Sequence, residues 1–440
     1  MKPAPLHAAR MAIAQRAFHR AVFGLALIPL NENETGVVSV HASLWVRKPE
    51  SDRRLPDLVS VGLLMTVFPA DVVDAVVAEC GRTEQRRRSL PARSMVYFAM
   101  GMALHSEGSY EDVLALISDG LGWAQREPGA GRLANKAAIS HARDRLGPEP
   151  LAVLFERVAT PLAAPQTPGC WLAGRRLVAI DGTCVDLADT AANDSHFGRP
   201  AVMKGERSAF PQARVVALAE CGTHAIFEAV LGPYTTSEAA LSGELLTRLA
   251  PGMLCLADRG FYRFAAWQNA CASGADLLWR VKDSLKLEPV TELPDGSWLA
   301  QVFHSTADRA RRNPRTVRVI EYTVRDGREP SGPIRLLTTI LDHNDAPAAE
   351  LAAAYAQRWE IETAFDELKT HQRGPRAVLR SKTPDLVTQE IWGHLCCHYA
   401  IRTLMFDTAA HSGHDPDRVS FVAALRISRR SIAQQGAFSP

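Results

Sequence analysis

Apolar residues recur at helical spacing through residues 55–158, the first well-patterned stretch of the chain. Gly81 suits the C-terminal end of a helix over Asp71–Cys80, because glycine readily adopts the left-handed conformation that ends many helices. Ser109 and Asp112 have the spacing of a capping box, in which two residues satisfy each other's free amides at a helix start. The pattern therefore predicts an all-α region.

One of these predicted helices, Asn135–Leu146, mixes small, polar and basic residues. Such a composition is typical of a helix that lies in a DNA groove. It is equally typical of a solvated amphipathic helix, and the sequence leaves both interpretations open.

Short apolar runs bounded by turns replace the helical spacing after a proline-rich stretch at residues 160–169. The predicted strands are Leu177–Ile180, the hairpin pair Arg214–Glu220 and Ala225–Leu231, Met253–Ala257, and Asp276–Val281. Helices over Ser237–Leu249 and Phe261–Ser273 separate the later strands. This order of three antiparallel strands, helix, strand, helix and strand predicts a mixed α/β fold.

Beyond residue 284 the pattern changes twice more. Val317–Val324 and Leu336–Leu341 are strand-like and indicate a small β-rich insertion. A long helix is predicted over Ala346–His371, and the last 65 or so residues are again helical.

Composition narrows the class of protein. The hydrophobic fraction of 47% excludes a mainly disordered chain. The net charge of +2 excludes a protein whose whole surface is basic. Any contact with nucleic acid must therefore come from local basic patches. The eight cysteines form no C-x-x-C pair, which favours reduced thiols in a cytoplasmic protein. The apolar run Ala21–Leu30 is too short to span a bilayer, and no membrane association is expected.

Four polar side chains fall on one side of the predicted long helix. Arg358, Glu362 and Lys369 follow Tyr355 by 3, 7 and 14 residues. At about 100° per residue, the four side chains share a stripe roughly 60° wide. A stripe of one carboxylate, two cations and a phenol indicates contact with a polyanion and a metal ion.

Two further carboxylates, Asp181 and Asp258, each follow an apolar run that predicts a strand. A charge at such a position is costly unless a partner neutralises it. Together with Glu362 they could bind two divalent cations of the kind that drive phosphodiester chemistry. The carboxylates that compete for these positions are Asp186, Asp189 and Asp366.

These segments resemble the insertion-sequence-4 family of transposases, which are DDE enzymes with a ribonuclease-H-like catalytic core. Ile180–Thr183 resembles the first motif of the family, and Leu256–Tyr262 resembles the second. The series Tyr355, Arg358, Glu362 and Lys369 matches the Y-R-E-K signature in identity and spacing, and Leu58–Tyr110 is similar to the N-terminal domain of the family. The second motif departs locally from some relatives, since Arg259 and the residues after it replace a more acidic continuation.

The resemblance implies an α/β fold: a ribonuclease-H-like mixed sheet with a β-rich insertion, preceded by an all-α N-terminal domain and followed by a helical C-terminal region. It implies that Asp181, Asp258 and Glu362 are catalytic and bind metal, and that Tyr355, Arg358 and Lys369 contact the transposon end. The implied cofactor is a pair of Mg²⁺ ions, with Mn²⁺ able to substitute. The implied partners are element-end and target DNA and a second copy in a synaptic homodimer. The expected location is the bacterial cytoplasm, associated with the nucleoid.

The predicted domain boundaries follow from pattern and resemblance together. They are an extension at 1–54, a helical DNA-binding domain at 55–159, a catalytic domain at 170–283 and 342–375, a β-rich insertion at 284–341 and a helical region at 376–440.

Two arginine clusters are suited to DNA contact through counterion release, and a solubilising surface is the alternative interpretation. The first comprises Arg82, Arg86, Arg87, Arg88 and Arg93, and the second comprises Arg309, Arg311, Arg312, Arg315 and Arg318 in the predicted insertion. Within the second cluster we expect Arg311, Arg312 and Arg315 to bind DNA. Lys282, after a predicted strand, is a further candidate for a phosphate contact, although a plain surface lysine fits equally well. Trp298 fits either a core position or stacking on an extruded base.

His394–His398 contains two histidines and two cysteines and invites a zinc site, but no second ligand pair is spaced to complete it. The surrounding run Ile391–Met405 is apolar at helical spacing, which favours a buried core helix. There is no G-x-x-x-x-G-K-[ST] loop, so ATP use is not indicated.

The predicted function is that of a DNA transposase, which cleaves at insertion-sequence ends in a metal-dependent reaction and transfers the freed strand to target DNA. The main alternative is a DNA-binding repressor derived from a transposase that has lost catalysis. A glycosidase with two catalytic carboxyls is a third hypothesis, which the cations beside Glu362 disfavour.

Overall fold

The computed structural model describes residues 55–85, 90–125, 134–201, 207–305, 314–323, 333–374 and 378–429. Its N-terminal part is helical, as predicted. The helices are α1 Leu55–Val67, α2 Ala70–Glu79, α3 Ala92–Leu104, α4 Tyr110–Gln125, α5 Lys136–Leu146 and α6 Glu149–Val158.

A mixed sheet follows. Its strands are β1 Trp171–Leu172, β2 Arg175–Asp186, β3 Gln212–Glu220, β4 Ile226–Pro233, β5 Met253–Ala257, β6 Asp276–Arg280, β7 Thr291–Glu292, β8 Trp298–Val302, β9 Arg315–Tyr322 and β10 Ile334–Thr338. Helices α7 Ala191–Phe197, α8 Glu238–Leu246 and α9 Phe264–Ala272 lie between them.

The C-terminal part is helical. Its elements are α10 Ala348–Ala356, α11 Trp359–Asp366, a π-helix Glu367–Gln372, α12 Pro384–Ser412, a 3₁₀ turn Pro416–Arg418 and α13 Phe421–Arg429.

The predicted helix ends are confirmed by their hydrogen bonds. Ser109 and Asp112 cap each other, the Asp112 amide donating to the Ser109 hydroxyl over 3.1 Å. Gly81 follows α2 with a φ of 66°, and the side chain of Asn135 accepts from the Ala138 amide over 3.0 Å at the start of α5.

Helix α5 joins the core through a buried arginine. Arg143 is fully buried and donates to Gln389 over 2.8 Å and to the Tyr110 hydroxyl over 2.7 Å. One face of α5 is therefore committed to packing, and only its exposed outer face remains available for the predicted DNA contact.

Helices α3 and α12 approach closely at Gly393. A Cβ atom at this position would lie 2.7 Å from the carbonyl oxygen of Ala99. The N-terminal helices are thereby packed against the long C-terminal helix.

The sheet confirms the ribonuclease-H-like class through its order, β4-β3-β2-β5-β6. Strands β2, β3 and β4 are antiparallel neighbours, which confirms the predicted hairpin, and β5 and β6 run parallel to β2. Helices α8 and α9 make the crossovers that such parallel pairs require.

Strand β2 is longer than predicted, and Asp181 does not end it. Parallel pairing with β5 stops at Ile180 and Ala257, but antiparallel pairing with β3 continues to Asp186 and Gln212. Asp181 therefore lies inside the strand, at the point where one of its two neighbours ends.

The strands predicted beyond residue 284 extend the same sheet. β10 pairs antiparallel with β6, and β9, β8 and β7 follow in order. The observed strands β9 and β10 each begin two residues before the predicted ones. Whether this segment is a separate domain stays a prediction.

The single long helix predicted over 346–371 is wrong, because the chain breaks it at Gln357 and Arg358. The amides of Gln357 and Arg358 bond three residues back, to Ala354 and Tyr355, which tightens the turn between α10 and α11. The π-helix then widens the last turns. The stripe calculated for one straight helix does not describe these side chains.

The His394–His398 segment lies in the middle of α12, and its histidines and cysteines are buried. This confirms the predicted buried core helix. All eight cysteines are free. Within the described ranges, no single helix is long and apolar enough to cross a bilayer. One pair bent by 66°, residues 61–67 with Ala70–Glu79, meets only the length and composition criteria.

Candidate active site

Three carboxylates from distant parts of the chain line one cavity of about 290 Å³. Ile180 of β2 pairs with Ala257 of β5, so Asp181 and Asp258 occupy the next position on neighbouring parallel strands. Glu362 enters the same cavity from the first turn of α11. Register and helix placement thus bring the three predicted side chains together.

Arg358 connects two of these carboxylates. Its guanidinium donates to Asp181 Oδ2 over 3.2 Å and to Glu362 Oε1 over 3.1 Å, and the side chain is itself buried. Because a planar guanidinium holds its donors in a fixed fork, this contact fixes both carboxylates relative to each other.

Asp181 lies in a buried and acidic environment that perturbs its pKa. Burial raises its pKa to about 6, and the nearby charges of Glu362 and Glu238 add to this effect. The Gly182 amide, which donates to Asp181 over 2.8 Å, and the Arg358 guanidinium oppose it. The site is thus short of positive charge around Asp181.

Gly182 lets a further carboxylate approach this strand. A Cβ atom on Gly182 would lie 2.5 Å from Cγ of Glu238, whose side chain lines the cavity and pairs with Arg214 over 2.5 Å. A larger residue after Asp181 would therefore displace the Glu238 side chain from the cavity wall.

The residue types fit a hard divalent cation, since the cavity presents several carboxylate oxygens and no sulfur or imidazole ligand among the described residues. No three His, Cys, Asp or Glu side chains in the described part of the chain are grouped closely enough to hold an ion as they stand. The Arg358 guanidinium instead forms ion pairs with both Asp181 and Glu362.

Tyr355 does not present its hydroxyl for the predicted DNA contact. The side chain is buried, and the hydroxyl donates to the carbonyl oxygen of Ala257 over 3.3 Å. Burial raises the pKa of the phenol further above its ordinary value of 10.0. Tyr355 thus holds the backbone immediately before Asp258.

Lys369 contacts β2 two residues beyond Asp181. Its ammonium group donates to the Thr183 hydroxyl over 3.0 Å. Since alternate residues of a strand face the same way, Thr183 and Asp181 share one face of β2. Lys369 is half-buried and lies beside the cavity rather than lining it.

The other predicted DNA contacts lie outside the cavity. Lys282 and Arg315 are exposed, whereas Arg311 and Arg312 fall outside the described residues. The same is true of Arg309 and of Arg86, Arg87 and Arg88.

Arg318 is wrongly placed in the second basic cluster. Its side chain is fully buried and forms an ion pair with Asp295, and it donates to Ser297 over 2.8 Å. Trp298 is partly buried and packs against the core.

The competing carboxylates do not line the cavity. They are engaged elsewhere: Asp186 accepts from Gln212, Asp189 pairs with Arg199, and Asp366 accepts from Thr370.

Besides Arg259, Gly260 and Phe261 of the second motif, three residues line the cavity that sequence reasoning missed: Glu238, Arg280 and Trp359. Trp359 is 59% exposed, and the Arg358 guanidinium lies 4.6 Å from its ring centroid. The sequence shows a tryptophan next to Arg358, but it does not show that this ring is exposed at the break between α10 and α11. Glu238 and Arg280 depend on sheet register.

Comparison with known proteins gives two family matches. Residues 58–156 match the family described as insertion element 4 transposase N-terminal, and residues 172–400, more than half of the 440-residue chain, match the transposase DDE domain.

The chain is 29% identical over 377 residues to the transposase InsG for insertion sequence element IS4 of Escherichia coli (strain K12), covering 83% of this chain and 82% of that protein. It is 28% identical over 214 residues to InsZ of the same strain, covering 48% of this chain and 68% of that protein. Among solved structures, a piggyBac transposase synaptic complex with hairpin DNA aligns with a TM-score of 0.44 at 12% identity, covering 84% of this chain and 79% of that one.

Proposed function

The chain belongs to the insertion-sequence-4 family of DDE transposases, and from that premise we propose which reaction it catalyses and with which residues. It cleaves phosphodiester bonds at the ends of an insertion sequence and transfers the freed strand into target DNA. Asp181, Asp258 and Glu362 are the proposed catalytic carboxylates. The observation that carries the proposal is their convergence in one open cavity beside Arg358, although 181 residues of sequence separate the first from the last.

DDE transposase domains generally use divalent metal ions, and we propose two Mg²⁺ ions here, with Mn²⁺ able to substitute. Asp181, Asp258 and Glu362 would hold them. When bound, such ions activate an attacking oxygen and stabilise the leaving oxygen of a phosphodiester.

The protein side chains have separate tasks in this proposal. Asp181 must be ionised to act as a ligand, and its raised pKa means that nearby positive charge favours the active form. Arg358 supplies that charge in the metal-free site and, once released from Glu362, offers its donors to a DNA phosphate.

Lys369 and Trp359 contact the DNA, and Tyr355 acts as a positioning residue. Lys369 lies beside the cavity and offers a phosphate a single charge. The exposed ring of Trp359 offers an apolar face to a base or sugar next to the cut. Tyr355 anchors the backbone that presents Asp258 and does not itself touch DNA.

Two element ends are joined by two copies of the chain in this account. The homodimer and the placement of target DNA rest on the family resemblance and stay predictions. The DNA contacts of Lys282, Arg311, Arg312 and Arg315, which rest on local positive charge in the sequence, also stay predictions.

The proposal is tested by nicking of a duplex that carries the DNA flanking the gene, with and without Mg²⁺. Wild-type protein should nick only with the ion, and Glu362→Gln should abolish nicking while end binding persists. Asp366→Asn is the matched control, because Asp366 is an exposed carboxylate four residues away that does not line the cavity. Specific end binding by the wild type without ion-dependent nicking would favour the repressor alternative and contradict the proposal.

A further inference from the structure

Three adjacent parallel strands place Asp181, Asp258 and Arg280 in one row. Ile180 pairs with Ala257, and Ala257 pairs with Trp279 on β6. The next residue on each strand is Asp181, Asp258 and Arg280 respectively. Because the three strands run in the same direction, equivalent positions lie side by side at one edge of the sheet.

Arg280 continues this row of two carboxylates with a cation. Its side chain lines the same cavity as Asp181, Asp258 and Glu362, on the Asp258 side. Arg358 enters from the turn between α10 and α11 and contacts the other two carboxylates. The cavity thus has a buried or half-buried arginine on each of two sides, whereas Arg259, which follows Asp258 and also lines the cavity, is exposed.

The two arginines differ in their partners. Arg358 forms ion pairs with Asp181 and Glu362. Glu238, in the cavity wall, forms an ion pair with Arg214. Arg280, by contrast, has no ion pair or side-chain hydrogen bond within the described ranges, although it is half-buried and next in register to Asp258. Among the described residues, no side chain neutralises the positive charge of Arg280.

A half-buried guanidinium without a partner is costly to maintain, and it is suited to a ligand that brings planar pairs of anionic oxygens. A DNA phosphate is such a ligand, and charge-assisted bonds from arginine to phosphate are short and directional. A phosphate that enters beside three carboxylates also needs compensating positive charge on its far side.

We propose that Arg280 binds a phosphate of the DNA strand being cut, on the Asp258 side of the cavity and opposite Arg358. This inference rests on the proposed function for its ligand. It adds a phosphate-binding residue outside the Y-R-E-K series, from a strand that carries none of the three carboxylates.

The test measures binding without a metal ion, so that it does not depend on cleavage. Duplexes carrying the gene's flanking end are made with one phosphate at a time near the junction replaced by a neutral methylphosphonate. Affinity is measured in EDTA for wild type, Arg280→Ala, Arg280→Lys and Arg426→Ala. Arg426 is an exposed arginine on α13 outside the cavity, so its variant removes the same charge elsewhere.

Neutralising the contacted phosphate should weaken wild-type binding about tenfold, in the range of a charge-assisted hydrogen bond. Arg280→Ala should bind the unmodified duplex about tenfold more weakly and be insensitive to methylphosphonate at that one position. Arg280→Lys should keep part of the sensitivity, and Arg426→Ala should keep all of it. Unchanged thermal melting of Arg280→Ala shows that the protein is folded.

The inference is overturned if Arg280→Ala binds like wild type, or if its sensitivity to methylphosphonate matches wild type at every position. Nicking by the same proteins in Mg²⁺ separates the two claims. A wild type that shows the Arg280-dependent contact but never nicks contradicts the proposed function and leaves the phosphate contact standing.

Discussion

Asp181→Asn should make the metal-free protein more stable at neutral pH while it removes cleavage. The pKa of Asp181 rises from an ordinary 3.8 to about 6, chiefly because the carboxylate is buried. A carboxylate with a raised pKa stabilises the fold fully only below its unfolded pKa, and that stability is lost as pH rises through the folded value. The free energy of unfolding of the wild type therefore falls as the pH rises from about 4 to about 6.

The size of the effect follows from the difference in pKa. A difference of about two corresponds to about 3 kcal/mol at 1.36 kcal/mol per pKa unit. Asparagine has nearly the same shape but cannot ionise, so the variant escapes this loss. The ion pair with Arg358 is already contained in this difference, because it lowers the pKa of Asp181, so the expected net gain stays at about 3 kcal/mol.

The assay is urea unfolding in EDTA at a series of pH values for wild type and Asp181→Asn. The free energy of unfolding of the variant should rise relative to wild type between pH 4 and pH 6 and stay level above pH 7. Added Mg²⁺ should stabilise wild type, by about 2.7 kcal/mol at 100 times its Kd, and leave the variant unchanged. A variant less stable than wild type at pH 8, or a difference independent of pH, would refute the reasoning.

Three further predictions follow from single contacts. Tyr355→Phe removes the bond to the Ala257 carbonyl and should slow nicking several-fold with unchanged end affinity; a loss of affinity would instead indicate a direct DNA contact. Lys369→Ala should weaken end binding and lower the slope of its salt dependence by about 1, whereas an unchanged slope would exclude a phosphate contact. Gly393→Ala places a Cβ 2.7 Å from the Ala99 carbonyl oxygen and should cost about 1–3 kcal/mol in urea unfolding, with wild-type stability contradicting that packing.

Local signals in the sequence were reliable where the structure depends on local contacts. The hairpin before residue 233, the capping pair Ser109 and Asp112 and the strand that ends before Asp258 all lie where the pattern placed them. Each is determined by residues a few positions apart, so one sequence contains the needed information.

Features that depend on distant contacts were not visible in the pattern. At the helix break, Arg358 pairs with Asp181 of β2 and Tyr355 donates to a carbonyl oxygen of β5. Helical spacing in the sequence cannot predict these distant contacts. The sequence places Arg318 in a basic surface cluster, whereas in the structure its side chain is buried and forms an ion pair with Asp295. Arg280 became a candidate only when the register of β5 and β6 was known.

The central claim is that Asp181, Asp258 and Glu362 together hold divalent ions, and anomalous diffraction from crystals grown with Mn²⁺ tests it most directly. The account predicts two anomalous peaks ~3.5–4 Å apart among these three carboxylates, with Arg358 no longer bridging Asp181 and Glu362. Peaks elsewhere, or a cavity that keeps the Arg358 bridge and binds no Mn²⁺ at saturating concentration, would contradict it.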